Sequence, residues 1–192
     1  MLRPNMPMID DTEGAAVPAG LPPVIDTHVH IFPHTLFPAV WKWFDENAYP
    51  TIIHAGREPS SAAYRCDPYT LCSAERLASV VGEYPTVKFC VPHLGMDETS
   101  AYRKLIERYD NLWLDTAMAL STYLRGEGNI DLARYRPDRI MYGSDFPNIP
   151  FAWDRELKKL AGGALDADRR ERILHRNATA FFDWPSVPTA TL

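Results

Sequence analysis

The sequence predicts an α/β fold built on about five parallel β-strands. Short apolar runs alternate with amphipathic helical segments, which is the pattern of parallel strands joined by helical crossovers. The 192 residues are 46% hydrophobic and 23% charged, enough for one domain with a real core. His and Asp residues collect at the carboxyl ends of the apolar runs, where parallel α/β folds place their active sites.

The predicted elements follow the order β-α-β-α-β-α-β-α-β-α-α. The first strand covers residues 24–31 and ends before Pro33, and the second is the short run "TIIHAG", stopped by Gly56. The last helix begins at Asp166, a typical N-cap residue. The other strands lie in "TVKFCVPH", "NLWLDT" and "RIMYGSD", and the other helices in "LFPAVWKWFDENA", "YTLCSAERLASVVGEY", "DETSAYRKLIERYD", "NIDLARYRPD" and "AWDRELKKLAG".

Composition divides the chain and excludes several classes of function. Residues 1–23 and 185–192 are rich in Pro and small residues and are predicted to be flexible, which leaves a single domain over 24–184.

The net charge of −5, without a long basic run, argues against nucleic acid as a partner. No apolar run is long enough to span a membrane, and the N-terminus does not look like a signal peptide. Three cysteines without a C-x-x-C pair indicate a reducing compartment, so the expected location is cytoplasmic.

The first predicted strand has an unusual polar face. In "VIDTHVHI", Asp26, His28 and His30 share one side of the strand, and the other side is apolar. Both faces of a parallel sheet are normally covered, so this polar face is expected to point into a site.

Four other residues stand at the carboxyl ends of the later strands: His54, His93, Asp115 and Asp145. Histidine and carboxylate groups suit a divalent metal such as zinc, iron or manganese. A catalytic site keeps one position open for water, whose pKa the metal lowers to about 7.

Each of these residues also has an ordinary structural interpretation. A single His at a strand end is more often hydrogen-bonded than metal-bound, and it is the combination with H-x-H that favours a metal site. Asp115 could support a ligand or cap a helix. Arg57 could form a salt bridge within its loop or clamp a substrate carboxylate, and its position beside His54 slightly favours the clamp. His34 and His175 are interpreted as structural or solvent-facing.

The segments "IDTHVHIFP", "IHAGREP", "VPHLG", "MYGSDFP" and "RILHRNATAFF" resemble the amidohydrolase superfamily. The resemblance runs from about residue 24 to residue 183 and is greatest to the amidohydrolase-related group of aminocarboxymuconate-semialdehyde decarboxylase-like enzymes and related lactone hydrolases. It implies a TIM-type (β/α)8 barrel with one divalent metal at its mouth, with zinc first and manganese or iron as alternatives. His28, His30, His54 and Asp145 match the family's metal ligands. Asp145 would also accept a proton from the metal's water, and His93 matches the histidine that orients or deprotonates it.

The chain is short for such a barrel. An eight-unit barrel needs about 250 residues, whereas residues 24–184 have room for about five units. No counterpart of the family's strands two to four is predicted between His30 and His54, which places an internal deletion near residues 49–51. The expected fold is therefore a shortened TIM-barrel-like metallo-hydrolase fold with about five parallel strands instead of eight.

Three functions compete at this point. The first is a metal-dependent hydrolase, in which metal-bound hydroxide attacks an ester, lactone or amide bond of a small carboxylated substrate. The second is a non-hydrolytic, metal-dependent decarboxylase. The third is a non-catalytic metal-binding or subunit-interaction protein. A homo-oligomer is expected, because the missing strands would expose sheet edges and the apolar helix that carries Trp41, Trp43 and Phe44.

Overall fold

A computed structural model describes residues 19–22, 24, 50–57, 69, 72–123 and 130–184. Most of the first predicted strand, with His28 and His30, lies outside these residues, as do the helix with Trp41 and Trp43 and the tail 185–192. No helix in the described ranges is long and apolar enough to cross a bilayer.

The described sheet has four strands, all parallel. They are β1 (Thr51–Ile52), β2 (Phe89–Val91), β3 (Leu112–Asp115) and β4 (Ile140–Met141), and they lie side by side in chain order. Thr51 pairs with Phe89, Val91 with Leu114 and Asp115 with Met141. The alternation of apolar runs and helices thus correctly predicted parallel pairing. All four carboxyl ends meet at one edge of the sheet.

In the part of the chain that the structure describes, five α-helices accompany these strands: α1 (Ala74–Glu83), α2 (Thr99–Arg108), α3 (Arg155–Gly162), α4 (Ala167–Glu171) and α5 (Asn177–Phe181). The Ser73 side chain caps α1 by accepting from the Arg76 N–H at 3.2 Å. Asp166 caps α4 in the same way, as its sequence position predicted.

Two helical predictions differ from the structure. The segment "NIDLARYRPD" forms only a 3₁₀ turn at Leu132–Arg134 within its described residues, because the Asp131 carboxylate accepts from the Ala133 N–H and Pro137 prevents continuation. The long C-terminal helix is divided into α4 and α5 by a π-helical turn at Arg172–Arg176.

Apolar side chains cover both faces of the sheet. On one face, Phe89, Val91 and Leu114 belong to a core cluster that includes Leu77 of α1 and Ile106 of α2. On the other face, Cys90, Trp113 and Met141 form a second cluster with Ala178 and Phe181 of α5. Both faces of β2, β3 and β4 are therefore buried, whereas Ile52 of β1 is exposed. Polar side chains of the three buried strands can gather only at the strand ends.

Candidate metal and catalytic site

His93 lies just after β2, within the short 3₁₀ segment Pro92–Gly95. Its backbone has φ 58° and ψ 27°, and Leu94 follows with φ 52°. Left-handed backbone is uncommon in residues that carry a Cβ, and such strain collects at functional sites. The side chain is buried, with 5% of its surface exposed.

The hydrogen bonds of His93 fix its ring. Nδ1 lies 2.7 Å from the carbonyl oxygen of Ala117. Because a carbonyl oxygen only accepts, the proton of the neutral ring lies on Nδ1, and Nε2 carries the lone pair. The ring therefore presents a basic nitrogen on the side away from Ala117.

Asp115 supports this arrangement from the end of β3. Its carboxylate is fully buried, and Oδ1 accepts from the N–H groups of His93 at 3.2 Å and Ala117 at 3.0 Å. Its other oxygen lies 3.9 Å from the Cys90 thiol. Burial, reinforced by the charge of Asp115, raises the pKa of that thiol well above its usual value, so Cys90 stays protonated and unreactive. Asp115 thus ties the backbone segments after β2 and β3 together.

The structure brings His54 to His93. The centroids of the two rings lie 5.1 Å apart, with the planes tilted by 52°. His54 follows β1 and is exposed, and its backbone carbonyl accepts from the Cys72 thiol at 3.7 Å. Two imidazoles predicted from the ends of different strands therefore share one location.

Asp145 follows β4 at the same edge of the sheet. It has φ 62° and is 5% exposed. Its backbone carbonyl accepts from the Asn148 N–H at 2.8 Å, and the Ser144 hydroxyl accepts from the Phe146 N–H at 3.2 Å. The turn after β4 thus holds a buried carboxylate where the sequence analysis expected one.

The donor set suits a divalent cation in its chemistry, since His54 supplies an imidazole and Asp145 a carboxylate. Within the described ranges, no group of three or more His, Cys, Asp or Glu side chains is close enough to hold a metal ion. The other two predicted ligands, His28 and His30, lie outside those ranges.

Arg57 is placed next to an acid of its own chain. Its Nε lies 3.4 Å from Oε2 of Glu98, and its guanidinium group lies 5.0 Å from the centre of the Tyr69 ring. Glu98 also accepts from the Ala74 N–H at 3.2 Å. These contacts match the loop salt bridge considered above, and substrate binding by Arg57 stays a prediction.

A cavity of about 720 Å³ opens beside His93. Its lining includes the apolar residues Met96, Leu120, Leu132 and Leu160, together with the charged residues Asp97, Asp131 and Lys159. A space of this size and character suits a small organic molecule.

Gly95 makes the sharp turn after His93 possible. It has φ +86°, and a Cβ at this position would lie 2.0 Å from Cδ2 of Tyr102. The Tyr102 ring is fixed, because its hydroxyl donates to the Ala55 carbonyl at 2.7 Å.

Gly95→Ala is therefore expected to destabilise the protein by about 2–4 kcal/mol, through left-handed strain and overpacking. Urea denaturation measures the change. Gly162→Ala is the matched control: no atom lies within 4 Å of its Cβ position at the end of α3, so a change between zero and about 1 kcal/mol of stabilisation is expected. Equal effects of the two substitutions would contradict the proposed packing.

Sequence reasoning missed Glu156, which lies in the first turn of α3. Its carboxylate is 1% exposed and accepts from three backbone N–H groups of the loop after β3. Burial raises the pKa of Glu156 well above its usual value, and the three donors oppose that shift. An acid in a first helical turn is ordinary, so no local signal distinguished it.

Comparisons with known proteins relate this chain to a protein family and to solved structures. A family model described as amidohydrolase matches residues 39–184. An uncharacterised TIM-barrel protein from Bordetella bronchiseptica is 22% identical, with a TM-score of 0.59 over 76% of this chain and 49% of that one. A 5-carboxyvanillate decarboxylase from Novosphingobium aromaticivorans, complexed with manganese and a nitrobenzoic acid, is 14% identical, with a TM-score of 0.51 over 78% of this chain and 52% of that one. No curated protein matches the sequence.

These likenesses show the fold. The chain spans about half the length of the solved structures that it matches. The prediction of a shortened TIM-barrel-like fold is thereby confirmed, with four of its parallel strands within the described residues. The family match begins at residue 39 and does not include His28 or His30.

Proposed function

Because this chain belongs to the amidohydrolase family, whose members are usually enzymes, we propose that it is a metal-dependent hydrolase of a small carboxylated substrate. The bond cleaved would be an ester, lactone or amide. The observation that carries the proposal is the pair of rings of His54 and His93, 5.1 Å apart at the carboxyl edge of the sheet, with the lone pair of His93 on Nε2.

In this proposal, His28, His30, His54 and Asp145 hold one divalent metal, zinc or manganese. When bound, such a metal polarises the oxygen of a carbonyl group or a water molecule. The proposal is supported by the chemistry of the donors and by the manganese bound to the 5-carboxyvanillate decarboxylase.

His93 would act as the general base. Nε2 takes a proton from the attacking water and returns it to the leaving group. The Ala117 carbonyl keeps Nδ1–H oriented throughout and stabilises the imidazolium that forms transiently. The neighbouring cavity of about 720 Å³ is the proposed place of the substrate.

Decarboxylation is the second candidate, because a 5-carboxyvanillate decarboxylase shares the fold. In that reaction the bond to the carboxylate carbon breaks, carbon dioxide leaves, and the remaining carbon takes up a proton. His93 would then supply that proton from Nε2, so the ring would have to carry protons on both nitrogens at the start of the reaction.

A product assay separates these candidates. The manganese- or zinc-loaded protein is incubated with a panel of carboxylated lactones, esters and amides and with hydroxylated benzoic acids. We expect either acid release from an ester or lactone, followed in a pH-stat, or amine release from an amide, followed by an amine assay, in both cases without release of carbon dioxide. Carbon dioxide formed in step with substrate loss would instead show a decarboxylase. Stoichiometric metal without turnover on either group would favour the non-catalytic alternative.

A further inference from the structure

Glu156 is a buried carboxylate that the proposed chemistry does not use. Its Oε2 accepts from the Met118 N–H at 3.1 Å, and its Oε1 accepts from the N–H groups of Leu120 at 2.6 Å and Ser121 at 3.0 Å. All three donors belong to the loop that follows β3. One side chain of α3 therefore satisfies three backbone groups of a loop that is distant in sequence.

That loop has an unfavourable backbone. Met118 has φ 59° and Thr122 has φ 63°, and neither is a glycine. Left-handed residues of this kind persist only where surrounding contacts hold them. Lys159, one turn further along α3, donates from Nζ to the Leu120 carbonyl. Helix α3 therefore holds Leu120 at both its N–H and its carbonyl group.

The loop also carries the hydrogen-bond partner of His93. The Ala117 carbonyl, which accepts from Nδ1 of His93 at 2.7 Å, belongs to the peptide unit whose N–H is that of Met118. Glu156 binds that same N–H at 3.1 Å. One planar peptide thus joins the carboxylate of Glu156 to the imidazole of His93. Its N–H group and its C=O group point in opposite directions, the first toward Glu156 and the second toward His93.

We infer that Glu156 is a positioning residue for His93: it fixes the Ala117–Met118 peptide so that the carbonyl faces Nδ1 and holds the Nδ1–H tautomer. The inference about the tautomer stands on the geometry alone. Its consequence for catalysis rests on the proposed function, in which Nε2 of His93 is the base.

The test compares Glu156→Gln with the wild type by nitrogen NMR of protein labelled at histidine, at a pH where the imidazole is neutral. The glutamine amide keeps the size of the side chain but replaces one acceptor oxygen with a donor group, which repels the loop N–H groups. We expect the wild type to show the Nδ1–H tautomer at His93 and the variant to show a mixture with Nε2–H. Hydrogen exchange at Met118, Leu120 and Ser121 should become faster by about tenfold or more.

Asp154→Asn is the matched control, since it makes the same chemical change on the residue that precedes α3. Asp154 is fully buried, and its carboxylate lies 3.3 Å from Nζ of Lys158. We expect this variant to keep both the wild-type tautomer at His93 and the exchange rates of the three loop amides.

A folded Glu156→Gln protein with an unchanged tautomer would overturn the inference. If this variant does not fold, Glu156→Asp, whose shorter side chain cannot reach all three donors, is measured in the same way. Failure of both to fold would make Glu156 a purely structural residue and would equally overturn the inference. Failure of the proposed function has a different signature, namely unchanged activity in His93→Ala while the tautomer responds to Glu156→Gln as expected.

Discussion

Replacing His28 with alanine is expected to remove most of the divalent metal from the protein. His28 and His30 are two of the four proposed ligands. Among the residues that the structure describes, which do not include these two, no three candidate donors come together. Loss of one of four ligands should therefore lower metal affinity by more than the roughly 10–100-fold that loss of a ligand's hydrogen-bond partner causes. Elemental analysis after dialysis should find about one metal ion per wild-type chain and a small fraction of that in the variant.

His175→Ala is the matched control for this experiment. His175 lies in the π-helical turn Arg172–Arg176 before α5, remote in sequence from every proposed ligand. We expect it to retain the metal content of the wild type. Equal metal in the wild type and His28→Ala would show that the H-x-H pair is not a ligand pair.

Replacing His93 with alanine is expected to leave the metal in place and to reduce kcat by about 10²–10⁴-fold, the usual contribution of a general acid or base. The reason is geometric, because Nδ1 is engaged with the Ala117 carbonyl and the ring can exchange a proton only at Nε2. The measurements are elemental analysis and steady-state kinetics on the substrate that the product assay identifies.

His93→Asn distinguishes a base from a structural residue. Asparagine tolerates left-handed backbone, and its amide can still donate toward Ala117, but it has no basic nitrogen in the position of Nε2. We expect it to be as inactive as the alanine variant. Recovery of activity with asparagine would assign His93 a structural role, and loss of metal in either variant would make it a ligand.

The elements that have local causes could be predicted from the sequence. Apolar runs such as "NLWLD" and "VKFCV" lie at β3 and β2, because both faces of a parallel strand are buried. The cap at Asp166 depends on one side chain and an N–H three residues away. The positions of His54, His93 and Asp145 at strand ends also followed from the sequence, since parallel strands bring their carboxyl ends to one edge.

The hydrogen-bond and ion-pair partners of these residues are set by long-range packing. The tautomer of His93 depends on a carbonyl 24 positions away, and the loop that carries this carbonyl depends on Glu156, 36 positions beyond Leu120. Arg57 adjoins His54 in the sequence, and folding places its guanidinium group against Glu98 and Tyr69; its substrate-clamp role stays a prediction. Hydrogen bonds form between donors and acceptors, and ion pairs between opposite charges, that folding brings within about 3–4 Å of each other, whatever their separation in the sequence. The periodicity of apolar residues and the helix caps depend on residues close together in the chain, so the sequence predicted the scaffold and the chemical groups at the site. The hydrogen-bond partners of those groups depend on long-range packing.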